Sequence, residues 1–237
     1  MFQLFSTPQW FNGWDIAFNV VSIVVALLIA GFSWRVYSFK KENKYAYFSF
    51  AFILVAISLL FQSFTNGVLY FTPVRDIVLD VLRPATGQGL QYSDLFYRGA
   101  FFVQMASMLG AWLLIFFLSQ KSRARLTKFF EVSQIALFVY FILLISVVSN
   151  FTYLVFYVTS LVLLGLIVLN YYKNYLNVQR KNAWLAMLSF LLIFMAHICF
   201  IFVFISAGFY AFGSLLMLLG FLTLLSVYVK STKGVMR

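Results

Sequence analysis

The chain has 237 residues, of which 64% are hydrophobic and 10% charged, and a formal net charge of +11. A soluble domain of this size could not keep so much apolar surface from water, so the composition excludes one and points to a lipid bilayer as solvent. The positive balance follows from the positive-inside rule of membrane topology and needs no nucleic acid as partner.

The chain has one cysteine, Cys199, and one histidine, His197, two residues apart. An intrachain disulfide is therefore impossible, and no set of three or four zinc ligands can be assembled from His and Cys. No metal, cofactor, nucleotide or catalytic motif stands out.

Met1–Asp15 carries no Lys or Arg, unlike the positive start of a secretory signal. Trp10 and Trp14 have the character of interfacial anchors. Seven apolar runs follow, at about 16–33, 45–71, 95–118, 129–148, 152–172, 184–204 and 209–229. Each reaches the roughly 18–25 residues that carry a helix across the hydrocarbon core, and none alternates as a barrel strand would. The sequence therefore predicts an all-α integral membrane protein, a single seven-transmembrane helix bundle.

Charge sets the orientation. With the N-terminus outside, fourteen Lys and Arg fall on the inner side and three (Arg75, Arg83, Arg98) on the outer. The bias repeats at every loop, which predicts an outer N-terminus and a cytoplasmic C-terminus. In the outer loop between the second and third spans, Val74, Ile77, Val78, Val81 and Leu82 follow the spacing of a short amphipathic helix, with Thr72 and Pro73 at its start. Asn150-Phe151-Thr152 matches a glycosylation acceptor but lies so close to the membrane that it reads as chance.

Polar residues inside the spans need an explanation, because hydrocarbon cannot hydrogen-bond them. Asp15, Asn19 and Ser22 share a face of the first span. Ser58, Gln62 and Asn66 share one on the second, and Gln104 and Ser107 lie on the third. His197 lies toward the midplane of the sixth span. Asp15, Asn19, Ser58, Gln62, Asn66, Gln104 and His197 thus form a candidate ligand-binding set in the outer half. Interhelical hydrogen bonding is the competing account. Ala26 and Ala30, Ala106 and Gly110, and Gly165, Gly213 and Gly220 are candidate sites of close helix contact. No internal repeat is visible in the residue pattern.

The layout is similar to microbial rhodopsins, G-protein-coupled receptors, small two-repeat sugar transporters, zinc-dependent seven-span hydrolases and the membrane sensors of histidine kinases. The similarity is one of architecture alone. The seventh run holds no lysine for retinal, and Pro8, Pro73 and Pro84 all lie outside the spans, where they bend no helix. Two functional expectations follow. The first is a non-enzymatic, receptor-like sensor or partner-docking subunit in a prokaryotic plasma membrane. It would take a small-molecule ligand at the polar set, and anionic lipid or a soluble protein at the basic cytoplasmic loops. The second is a small-solute or ion transporter using the same polar set.

Overall fold

The computed structural model describes residues 8–70, 89–120 and 153–235. The expected outer-loop helix, the run at 129–148 and the Asn150 acceptor lie outside them. The described residues form six long helices: α1 (Trp14–Lys40), α2 (Asn43–Tyr70), α3 (Gly89–Ser119), α4 (Tyr153–Val178), α5 (Lys181–Ile201) and α6 (Gly208–Val235). Single 3₁₀ turns at Gln9–Phe11 and Phe202–Phe204 precede α1 and follow α5. No strand occurs among the described residues. All six helices are long and apolar enough to cross a membrane, so by length and composition the chain is an integral membrane protein.

The helices outrun their apolar cores. α1 continues past Ser33 through Arg35 to Lys40, and α6 runs through Lys230 and Lys233. Hydropathy marks only the part inside hydrocarbon. The helical hydrogen-bond ladder continues until something interrupts it. At the end of α1 that interruption is Lys41, which enters the left-handed region at φ 54° while its N–H reaches Tyr37 O at 2.8 Å. α4 ends in the same way: Gln179 adopts φ 50° and donates its N–H to Tyr175 O at 2.7 Å. At the opposite end Gly13, at φ 94°, turns the chain into α1, and its N–H donates to Asp15 Oδ1 at 3.1 Å. Asp15 in the first turn also complements the helix dipole.

Among the described helices, each lies beside two others in the cyclic order α1–α2–α3–α4–α5–α6 and back to α1. Neighbours in sequence joined by short turns are antiparallel, but α3 and α4 run parallel. Phe101, midway along α3, packs edge to face at 4.5 Å on Tyr153 at the start of α4, and further along both helices Asn170 Nδ2 donates to Ser119 Oγ at 3.0 Å.

The ring interior is filled by Phe52, Leu59, Trp112, Phe190 and Phe221, all fully buried, whereas Val24, Leu27, Leu60, Val162 and Leu169 point outward. Apolar residues on both sides are what a bilayer solvent requires. Trp10 and Trp14 are exposed at one end, and Trp34 and Trp184 at the other, as in aromatic belts. α5 and α6 approach each other closely at two glycines. A Cβ added at Gly220 would stand 2.6 Å from Ile193 Cγ1 and 3.0 Å from Ser189 O. Gly213 is nearly as crowded, with Phe200 Cε1 at 2.8 Å. Ala26 and Ala30 are buried between α1 and α2, where Ser49 Oγ donates to Ala30 O at 2.9 Å. Ala106 and Gly110 are only half-buried.

Candidate functional site

The polar residues that sequence places in the spans turn inward. Asp15, Ser58, Gln62, Asn66, Gln104 and His197 are buried, and Asn19 is half-buried. Arg98, off the Gln104 face, is exposed. Two hydrogen-bonded groups form at the end of the ring where α1 begins. In the first, Asn66 Nδ2 of α2 donates to Asp15 Oδ2 of α1 at 2.7 Å. In the second, Ser58 Oγ donates to the Gln104 backbone carbonyl at 2.8 Å, and Tyr153 Oη donates to Gln104 Oε1 at 3.2 Å. Gln104 therefore ties α2, α3 and α4 together.

His197 sits deeper. Its Nδ1 lies 2.9 Å from Ile193 O. A carbonyl can only accept, so Nδ1 carries the proton and, in the neutral ring, Nε2 keeps the acceptor lone pair. Trp112 of α3 and Tyr157 of α4 meet the imidazole edge to face, with centroids at 6.1 and 6.0 Å. Interhelical bonding thus accounts for Asp15, Ser58, Asn66 and Gln104, but not for His197, whose bond to Ile193 O stays within its own helix.

Several buried polar atoms have no hydrogen-bond partner among the described residues: Asn19 Nδ2, Asn66 Oδ1, Trp112 Nε1, Ser160 Oγ and Ser33 Oγ. Such atoms are costly, at about 1–3 kcal/mol each, and mark places where a ligand or water completes the bonding. Sequence reasoning found Asn19 and Asn66 but missed Trp112, Ser160 and Tyr153. Nothing in the sequence sets Trp112 and Tyr153 apart from aromatics that fill space between helices. Ser160 looked ordinary because Ser and Thr in helices usually bond back to the preceding turn. Here Ser63, Thr65, Thr159, Ser214 and Thr223 do so, and Ser160 does not.

The other end of the ring is basic. Lys40, Lys41 and Lys44 cluster at the α1–α2 turn, with their Nζ atoms 5.8, 6.0 and 4.9 Å from the rings of Tyr45, Tyr37 and Tyr45. Glu42 pairs with Lys44, whose ammonium holds the Glu42 carboxyl below its usual range. Lys173, Arg180 and Lys181 add to the same end.

Among the described residues no three His, Cys, Asp or Glu side chains gather into a metal-binding group. Compared with known proteins, the chain matches no protein family, no curated protein and no solved structure. Fold and site together define a helical integral membrane protein with a polar interior toward one end.

Proposed function

We propose that this is a seven-crossing, receptor-like membrane protein without catalytic activity, which binds a small polar molecule inside the helix ring and signals through its basic end. The observation that carries the reading is the buried polar set itself. Asp15, Asn66, Gln104 and Tyr153 are held away from lipid on four helices, beside polar atoms that lack partners. A structural clasp would use up its donors and acceptors, whereas a binding site leaves some open.

The parallel course of α3 and α4 supports the seventh crossing. Ser119 ends α3 at one end of the ring and Tyr153 begins α4 at the other, which fits a further crossing between them. The apolar run at 129–148 has the length for it. The separation of Lys40, Lys41, Lys44, Lys173, Arg180 and Lys181 from Asp15 along the bundle supports an outer N-terminus and a cytoplasmic C-terminus. That basic end suits anionic lipid headgroups or an acidic soluble partner, and a prokaryotic plasma membrane is the setting we favour.

Transport of a small solute is the second reading. Polar pairs at both ends of the α3–α4 seam, Gln104 with Tyr153 and Ser119 with Asn170, favour it. Proteoliposome flux and thermal stabilisation separate the two. A receptor is stabilised by its ligand and passes no solute, and a docking subunit co-purifies with a partner. Solute flux that disappears in Gln104→Leu and His197→Leu would overturn the receptor reading in favour of transport.

A further inference from the structure

The ring has a regularity that the residue identities hide. Align Lys41 with Gln179, the two left-handed helix ends. The carbonyls that receive their N–H groups then coincide as Tyr37 and Tyr175. Buried Ser22 falls on buried Ser160, Ala26 on Leu164 and Ile29 on Ile167. In the following helices, buried Ala51, Phe52, Val55, Ser58 and Gln62 fall on buried Ser189, Phe190, Ile193, Ala196 and Phe200. Now align Gln104 with Gly213. Phe101, Met108, Trp112 and Ile115 fall on Tyr210, Met217, Phe221 and Leu224, again all buried.

The contacts repeat as well as the burial. Ser58 meets the Gln104 backbone, and at the equivalent place the Gly213 Cβ position lies 3.1 Å from Ala196 O. The seams between units correspond too. Phe101 packs on Tyr153 at the start of α4, and its equivalent Tyr210 packs on Phe11 beside the start of α1. Both seams join parallel helices. On these equivalences α1–α3 and α4–α6 form two three-helix units joined side by side at two seams. In membrane proteins built this way, ligands bind between the units near the midplane.

At that depth the two units differ in chemistry. Trp112 stands about 12 Å along α3 from Gln104, and Ser160 about 10 Å along α4 from Tyr153, at 1.5 Å per residue. The Gln104–Tyr153 and Ser119–Asn170 bonds fix the register of these parallel helices, so Trp112 and Ser160 lie at one level. His197 faces the same level through Trp112 and Tyr157. The equivalents of Trp112 and His197 are Phe221 and Leu59, which carry no polar atom.

We propose that the chain is a duplicated three-helix unit, and that a compact uncharged polyol binds at the α3–α4 seam between the copies, held by Trp112, Ser160 and His197. This deepens the ligand-binding reading above and rests on it. Trp112 Nε1 offers a donor, His197 Nε2 an acceptor, and Ser160 Oγ either. Hydroxyl groups satisfy all three, because each both donates and accepts. The Trp112, Tyr157 and Phe200 rings supply apolar faces for the carbon skeleton. No Asp, Glu, Lys or Arg of the described helices lies beside Trp112, Ser160 or His197 in sequence, and a charged ligand would meet no counter-charge from these three.

The test uses full-length protein in detergent and radiolabelled erythritol, with scintillation proximity as the readout. Saturable binding is expected, weakened at least tenfold by Trp112→Phe and by Ser160→Ala, and unchanged by Ser22→Ala at the equivalent position. Thermal melts of each variant identify any that fail to fold, and Trp112→Phe keeps an aromatic ring while removing the N–H. Binding that survives both changes but is lost in Asn66→Leu would overturn the seam seat and leave a ligand site at the Asp15 end. No saturable binding would overturn the polyol assignment. The duplication is tested separately, in a Cys199→Ser background. Asp15→Cys with Tyr210→Cys should cross-link as Phe101→Cys with Tyr153→Cys does. Cross-linking of the second pair alone would contradict the repeat.

Discussion

Gly220→Ala gives a direct measure of how tightly α5 and α6 are packed. The new Cβ would meet Ile193 Cγ1 at 2.6 Å, Ser189 O at 3.0 Å and Ile193 N at 3.3 Å. Carbon atoms in good contact stand about 3.5–4.0 Å apart. The Ile193 side chain can turn aside, but the other two atoms belong to the α5 backbone, so the helices have to separate. Overpacking of this kind costs about 1–3 kcal/mol. At about 2–4 °C per kcal/mol for a chain of this length, the melting temperature should fall by about 2–12 °C. Gly31→Ala is the control, since its Cβ meets nothing within 4 Å. There the substitution should stabilise by about 0.5–1 kcal/mol through lower backbone freedom in the unfolded chain. Thermal unfolding followed by size-exclusion chromatography reads both. If Gly220→Ala proves as benign as Gly31→Ala, the α5–α6 approach is wrong.

Three further outcomes follow from local geometry. Lys41→Gly and Gln179→Gly should each raise the melting temperature slightly and by similar amounts, because both relieve a left-handed residue that costs about 1–2 kcal/mol; thermal melts of each variant check this. Ser58→Ala removes the bond to the Gln104 carbonyl and should destabilise by about 0.6–2 kcal/mol, measured by reversible unfolding in mixed micelles. Glu42 has a lowered folded pKa, so its pairing with Lys44 stabilises above the unfolded pKa and is lost as pH falls through the folded one. The pair is exposed and screened, so wild type and Glu42→Gln should give superimposable melting curves from pH 3 to 7.

Much of the fold was legible because lipid imposes simple rules. Apolar length located α1 to α6, and the cost of polar groups in hydrocarbon correctly turned Asp15, Asn66, Gln104 and His197 inward. Helix ends were less legible, since hydropathy says nothing about where Lys41 or Gln179 breaks the ladder. The proposed repeat is hidden in the sequence because positions that stay buried in both units, such as Leu59 and His197, differ in chemistry. Asp15 corresponds to Tyr153, Asn19 to Tyr157 and Leu59 to His197, pairs that no comparison of residue types would join. Trp112 and Ser160 were missed for a related reason. Their polar atoms matter only because neighbouring helices leave them without partners, and that depends on three-dimensional packing.

Impermeant labelling of the two chain ends in intact cells probes the topology on which the binding site and its basic signalling end both depend. A tag before Met1 should react from outside, and a tag after Arg237 only once the membrane is opened. Equal reactivity of both tags in intact cells would mean an even number of crossings and would contradict the account.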